Sequence, residues 1–177
     1  MPYTPAISDY KPFYIQSPGD EYAWDTRDYG LVAKSQPYPD NIEVKEPFKN
    51  DWYDENGDDE YLGRSIDSVW TSAIKLKASE FTVDFYIKTF KQAGVPAVVA
   101  LNDLRSQFRS KIVYRPFNLY DSWNGRGYKN VRFVSDEVVE QDITDEEAWM
   151  IFSVKFKVND PTARGYLSGN EGQYVIE

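Results

Sequence analysis

The strongest pattern in the chain is a strict alternation near its end. Met150, Phe152, Val154, Phe156 and Val158 interleave with Ile151, Ser153, Lys155 and Lys157. A period of two predicts a half-buried strand, and Asn159-Asp160-Pro161 closes it. An earlier run has the same period, with Phe81, Val83, Phe85 and Ile87 alternating with Thr82, Asp84, Tyr86 and Lys88. Ahead of it, Ile74, Leu76 and Ala78 alternate with Lys75 and Lys77, so the parity flips across Ser79-Glu80. Either a bulge restores the facing there, or a turn splits the run into two strands. One segment has a helical period instead: Ala97, Leu101, Leu104 and Phe108 form an apolar stripe. Pro96 fits the first helical position, where a missing N–H costs nothing, and Gly94 precedes it as a breaker.

Two further strands are expected, Ile112 to Tyr120, with Pro116 marking an edge or bulge, and Tyr128 to Val134. Between them, Asp121-Ser122-Trp123-Asn124-Gly125-Arg126-Gly127 reads as a hairpin turn around Asn-Gly. The order strand, helix, strand, hairpin, strand predicts an α+β fold, a mostly antiparallel sheet with one main helix packed on it. Residues 162 to 177 contain three Gly and read as an exposed C-terminal tail.

Charge and proline divide the chain. Residues 1 to 62 carry 14 acidic and 5 basic side chains, and residues 63 to 177 carry 15 of each, so the net charge of −9 belongs to the first part. Seven of the ten prolines also precede position 63, which disfavours long helices there. The same stretch holds eight Tyr, with Trp24, Trp52, Phe13 and Phe48, whereas a flexible linker is poor in aromatics. Three units are therefore expected: an extended, acidic, Pro/Tyr-rich N-terminal arm over 1–62, an α+β core over 63–161, and the tail over 162–177. The arm's aromatics dock either on their own domain or on a neighbouring subunit. Short strands are expected at Leu31 to Lys34 and Ile42 to Val44.

The chain has no Cys and no His, which excludes disulfides, thiol nucleophiles, Cys-ligated zinc and imidazole-based catalysis. The acidic balance argues against non-specific nucleic-acid binding. No apolar run suggests a signal peptide in residues 1 to 22 or a membrane span, so no membrane insertion is expected. The densest charge run, Asp51 to Glu60 around Asn56-Gly57, raises the possibility of a calcium loop. An EF-hand register fails, because Trp52 and Gly63 would stand where carboxylates belong; a solvated acidic turn is the simpler account. A two-carboxylate glycosidase is conceivable, but no spacing selects one pair. Gly125-Arg126-Gly127 begins like a dinucleotide fingerprint, yet Asn130 occupies the place of the third glycine. No cofactor and no metal is expected. Arg105, Arg109, Lys111, Arg115, Arg126, Lys129 and Arg132 form a basic stretch. It suggests a phosphate site, a solvated face, or a surface that meets the acidic arm of another copy; such heterologous contacts build rings or filaments.

The succession of elements resembles small structural proteins of tailed bacteriophages, particularly tail components of Bacteroidetes phages and prophages. The residues that carry the resemblance are Asp51 to Tyr61, the strand Phe81 to Ile87 with the helix after it, Tyr120-Asp121 with Gly125-Arg126, Val131-Arg132-Phe133, and Phe152 to Pro161. It covers roughly residues 29 to 161. The resemblance implies a non-enzymatic virion component, a tail or neck ring subunit of the distal-tail, tail-terminator or connector kind. It would be assembled in the host bacterial cytoplasm from copies of itself and other tail or neck proteins. Trp52, Tyr53 and Asp54 in the arm, with Trp123 and Arg126 at the hairpin, are the expected interface residues, since large aromatics and Arg dominate interfaces. A glycan- or calcium-binding module is the alternative reading.

Overall fold

The computed structural model describes residues 10–33, 44–45, 75–76, 78–160 and 162–177. Its centre is an antiparallel pair, β6 (Ser79–Phe90) and β9 (Glu147–Val158), in unbroken register from Ser79↔Val158 to Phe90↔Glu147. The alternation places odd positions of β6 and even positions of β9 on one face, where Val83, Phe85, Ile87, Phe152, Val154 and Phe156 are fully buried. Two strands, β5 (Lys75–Leu76) and β6, replace the single run whose parity flips at Ser79-Glu80; β5 pairs with β4 (Val44–Lys45) in a separate ribbon.

Helix α1 (Ala97–Ile112) lies on the buried face. Ala97, Leu101, Phe108 and Ile112 are fully buried beneath it. Pro96 stands one position outside the helix, as its N-cap. The Ala97 N–H is taken up by the Asp145 carbonyl at 3.0 Å, so the loop leading into β9 closes the helix start in place of a capping side chain. Phe108 stands at the middle of an aromatic cluster, its ring centroid 5.1 Å from Phe85, 6.0 Å from Phe152 and 6.2 Å from Trp24.

The main sheet runs in the order β2 (Trp24–Asp25), β1 (Phe13–Gln16), β7 (Phe117–Asp121), β8 (Arg126–Ile143), β9, β6, β3 (Leu31–Ala33). The helix continues through Ile112, so β7 begins after Pro116 rather than at Ile112. Away from the turn, opposite Asn118, a bulge at Lys129-Asn130 offsets the pairing of β7 with β8, and Asn130 takes a left-handed φ of 55°, which Asn tolerates. β8 reaches Ile143, far past the expected end at Val134.

Of the expected arm, residues 10–33 dock on their own domain. Phe13 and Ile15 are fully buried, and β1 pairs with β7 from Phe13↔Asp121 to Gln16↔Asn118. These strands join the same sheet as the expected core, and the 62/63 boundary itself lies outside the described residues. The expectation of an exposed C-terminal tail is corrected. β10 (Arg164–Gly165) pairs with β8, while β11 (Leu167–Ser168) and β12 (Val175–Ile176) form a small ribbon with Ile176 buried. The Gln16 side chain accepts the Ile176 N–H at 2.8 Å. The glycines permit close approach here rather than flexibility. A Cβ on Gly127 would collide with the Gly165 carbonyl oxygen, and one on Gly165 would lie 2.8 Å from Ile176 Cγ2. Gly127→Ala is therefore expected to part β8 from β10 and cost about 2 kcal/mol, read as a lower urea midpoint with an unchanged slope.

Candidate functional site

The β7–β8 hairpin is organised by a buried carboxylate. Asp121, 1 % exposed, accepts the Trp123 N–H at 2.8 Å and the Asn124 side-chain amide. Burial pushes its carboxyl above the usual range, against the lowering effect of these hydrogen bonds. The turn therefore folds back on itself. Trp123 packs against the protein's own hydrophobic core, with Lys11 over its ring at 5.7 Å. Arg126, half-buried, starts β8 opposite Asp121. The two hairpin residues expected at an interface thus sit together, with Trp123 turned toward its own domain. Trp52, Tyr53 and Asp54, and the acidic run 51–60, lie outside the described residues.

The basic stretch is not a uniform surface. Asp136 on β8 accepts from Arg105 Nη2 at 2.9 Å and from Arg109 Nε and Nη2 at 2.8 and 2.9 Å. Arg105 also lies 4.9 Å over the Phe152 ring. The Arg105 and Asp136 side chains are only 12 % and 10 % exposed, so the cluster is a charge-assisted clamp between α1 and β8. Helical spacing puts Arg105 and Arg109 one turn apart on the same face, and this carboxylate holds both. No signal in the sequence singles out Asp136, because it stands in an acidic segment of unbroken sign.

Beside the clamp is a groove of about 420 Å³ between α1 and β8. Ser106, Arg109, Val113, Tyr114 and Phe133 line it with Asp136. β7 pairs with β8 no farther than Val131, and from Arg132 to Ile143 the ladder runs to β9 alone. β8 is an edge there among the described residues. The pairing slips at Val134 and again at Val139, and Val134, Val138, Val139 and Ile143 are all exposed. From Val134 to Ala148 the chain has seven carboxylates and no Lys or Arg. Sequence reading missed this edge because the two bulges break the period of two.

A second concavity, about 460 Å³, lies where the C-terminal segment meets β1 and β2. Tyr14, Tyr22, Trp24 and Tyr174 contribute rings, and Asp25, Arg27, Asp28 and Glu171 contribute charge. Tyr14 and Tyr174 meet edge to face at 5.1 Å. The Arg27 guanidinium is held by Asp25 at 2.7 Å, and that hydrogen bond raises its pKa. Burial and the Asp25 charge push the Asp28 carboxyl upward.

No family model matches the chain, and no curated protein matches it. Among the described residues, no group of three or more acidic side chains is placed to hold a metal ion, and no helix is long and apolar enough to cross a membrane.

Burial, followed by the negative charge of Asp25, pushes the Tyr14 phenol up to about 12. The folded state prefers the neutral phenol, so this contribution is complete below the unfolded value near pH 10. It is lost as pH rises through the folded value. An ultraviolet titration is expected to show one tyrosine ionising last, near pH 12, and Tyr14→Phe is expected to remove that step.

Proposed function

We propose that the chain is a non-enzymatic structural subunit of a tailed-phage virion, in a tail or neck ring. It works by assembly, through heterologous contacts with further copies and with other tail or neck proteins. The phage assignment rests on the order of sequence elements given above. The observation that supports an assembly role is the edge of the sheet: among the described residues, β8 from Arg132 onward borders a strand on one side only. The sheet face opposite α1 carries Tyr86, Trp149 and Ile151 half-exposed, with the Tyr86 and Trp149 rings 6.1 Å apart. Open edges with apolar neighbours are sites of chain-to-chain pairing. In this reading the protein is made in the host cytoplasm and resides in the virion, with no membrane insertion and no specific nucleic-acid contact. Light scattering and negative-stain microscopy of the purified protein are expected to give a closed ring. A monomer at every concentration and salt would sink the proposal.

A second reading has its own supporting observation. The cleft of Tyr14, Trp24 and Tyr174 with Asp25 and Glu171 combines ring faces and carboxylates, the groups that meet sugar C–H faces and hydroxyls. As a glycan-binding module, the protein is expected to bind on a glycan array and to lose that binding in Tyr174→Ala. An array with no signal would remove this reading.

A further inference from the structure

We propose that the outer half of β8 is a strand-acceptor site. Its guest is an extended segment of a partner protein in which apolar and basic residues alternate. The inference deepens the assembly reading and rests on it for why the edge is left open. Three observations carry it: the one-sided ladder, the groove at its flank and the uncompensated charge of the edge.

The ladder defines where a guest can add. Beyond Val131, β8 pairs with β9 alone among the described residues. Bulges at Val134 and Val139 bracket Ser135–Val138, which pairs with β9 without a slip, from Ser135↔Lys155 to Val138↔Phe152. Bulges usually discourage edge pairing, so these confine a guest to the regular segment and set its register.

The groove and the charges define what the guest carries on each face. Asp136 and Val138 stand opposite the buried Val154 and Phe152, on the helix side. A guest strand along this edge lays its helix-side residues against the groove of Phe133, Val113 and Tyr114. Tyr114 is 84 % exposed, and an apolar guest residue would cover it. Asp136 adds no demand for a cation, because Arg105 and Arg109 already hold it.

On the other face the carboxylates lack cross-strand cations. Glu137, Glu140 and Asp142 stand opposite Ser153, Ile151 and Trp149. Beyond β9, β6 offers Asp84, Tyr86 and Lys88 in the same rows. Among the described residues no strand lies on the outer side of β8 there, so a Lys or Arg of a guest can stand directly across from Glu137. Opposite charges in that relation stabilise a sheet and like charges destabilise it. The same rule opposes two copies joining through their β8 edges, because glutamates would face an acidic strand. The contact is therefore with a different protein and not with a second copy through the same edge.

The test uses the full chain and a Lys-Val-Lys-Val-Lys-Val-Lys peptide, with Glu-Val-Glu-Val-Glu-Val-Glu as its control. Hydrogen exchange read by NMR reports the outward-pointing amides of residues 135–138. They are expected to exchange fast in the free chain and to become protected by the Lys peptide alone. In Glu137→Lys the preference is expected to reverse, with the Lys peptide bound about tenfold more weakly. Amides already protected in the monomer, equal binding of both peptides, or no binding overturns the proposal. Ring formation is scored separately by light scattering. A protein that forms rings while neither peptide protects its β8 amides refutes the acceptor edge and leaves the assembly reading standing. Peptide protection in a chain that never forms rings does the reverse.

Discussion

The structure depends on one aromatic contact layer, the Phe108 ring set among Phe85, Phe152 and Trp24. Phe85 and Phe152 belong to the central strand pair, Phe108 to the helix, and Trp24 to the short β2 strand paired with β1. One ring therefore joins the helix, the middle of the sheet and the N-terminal segment. Edge-to-face packing gives each pair a small preference beyond area burial. The larger effect is exclusion of water from a sheet face that, among the described residues, no other α-helix covers. Truncating such a ring costs about 3–5 kcal/mol, a large share of a typical domain's stability. Placed there, the helix brings Arg105 and Arg109 over Asp136 and creates the groove beside β8.

The sheet thus has a fixed part and an unfinished part. β6 and β9 are flanked on both sides and covered on one face. The outer stretch of β8 has regular pairing on one side and two bulges, and its charge is of one sign. Bulges and like charge are features that discourage indiscriminate edge pairing. Among the described residues no strand takes up the outward backbone groups of this stretch.

The residues that were legible in the sequence were those whose burial follows a simple period. Phe81 to Ile87 and Met150 to Val158 are buried on alternate positions, so β6 and β9 could be read directly. Ala97, Leu101 and Phe108 marked the helix in the same way. β1 was not legible: four residues, Phe13–Gln16, between Pro12 and Pro18 look like an irregular segment, and pairing with β7 makes them a strand. The bulges at Val134 and Val139 hid the outer half of β8 by shifting its apolar positions between faces. Gly127 and Gly165 illustrate the ambiguity of glycine. Gly127 lies where the Gly165 backbone leaves no room for a Cβ, and Gly165 where the Ile176 side chain leaves none, yet sequence alone reads one as a turn residue and the other as part of an exposed tail. Trp123, expected at an interface from its place in the hairpin, packs in part against its own core beside the Asp121 turn, a contact that no period in the sequence signals.

The hydrogen bond between Gln16 and Ile176 joins residues 160 positions apart, and Asn118 reaches the Ile176 carbonyl at 3.4 Å. The edge of β1 and β7 is therefore stitched by a segment that leaves the ribosome last among the described residues. The helix and the β6–β9 pair need only residues up to Val158, so they can condense while synthesis continues. The lock at Gln16 must wait for Val175 and Ile176. Long-range closures of this kind are slow, and until it forms, β1 lacks its final fastening to the sheet. The fold is thus ordered in time, with the N-terminal strand fastened only after the chain has been read through to Ile176.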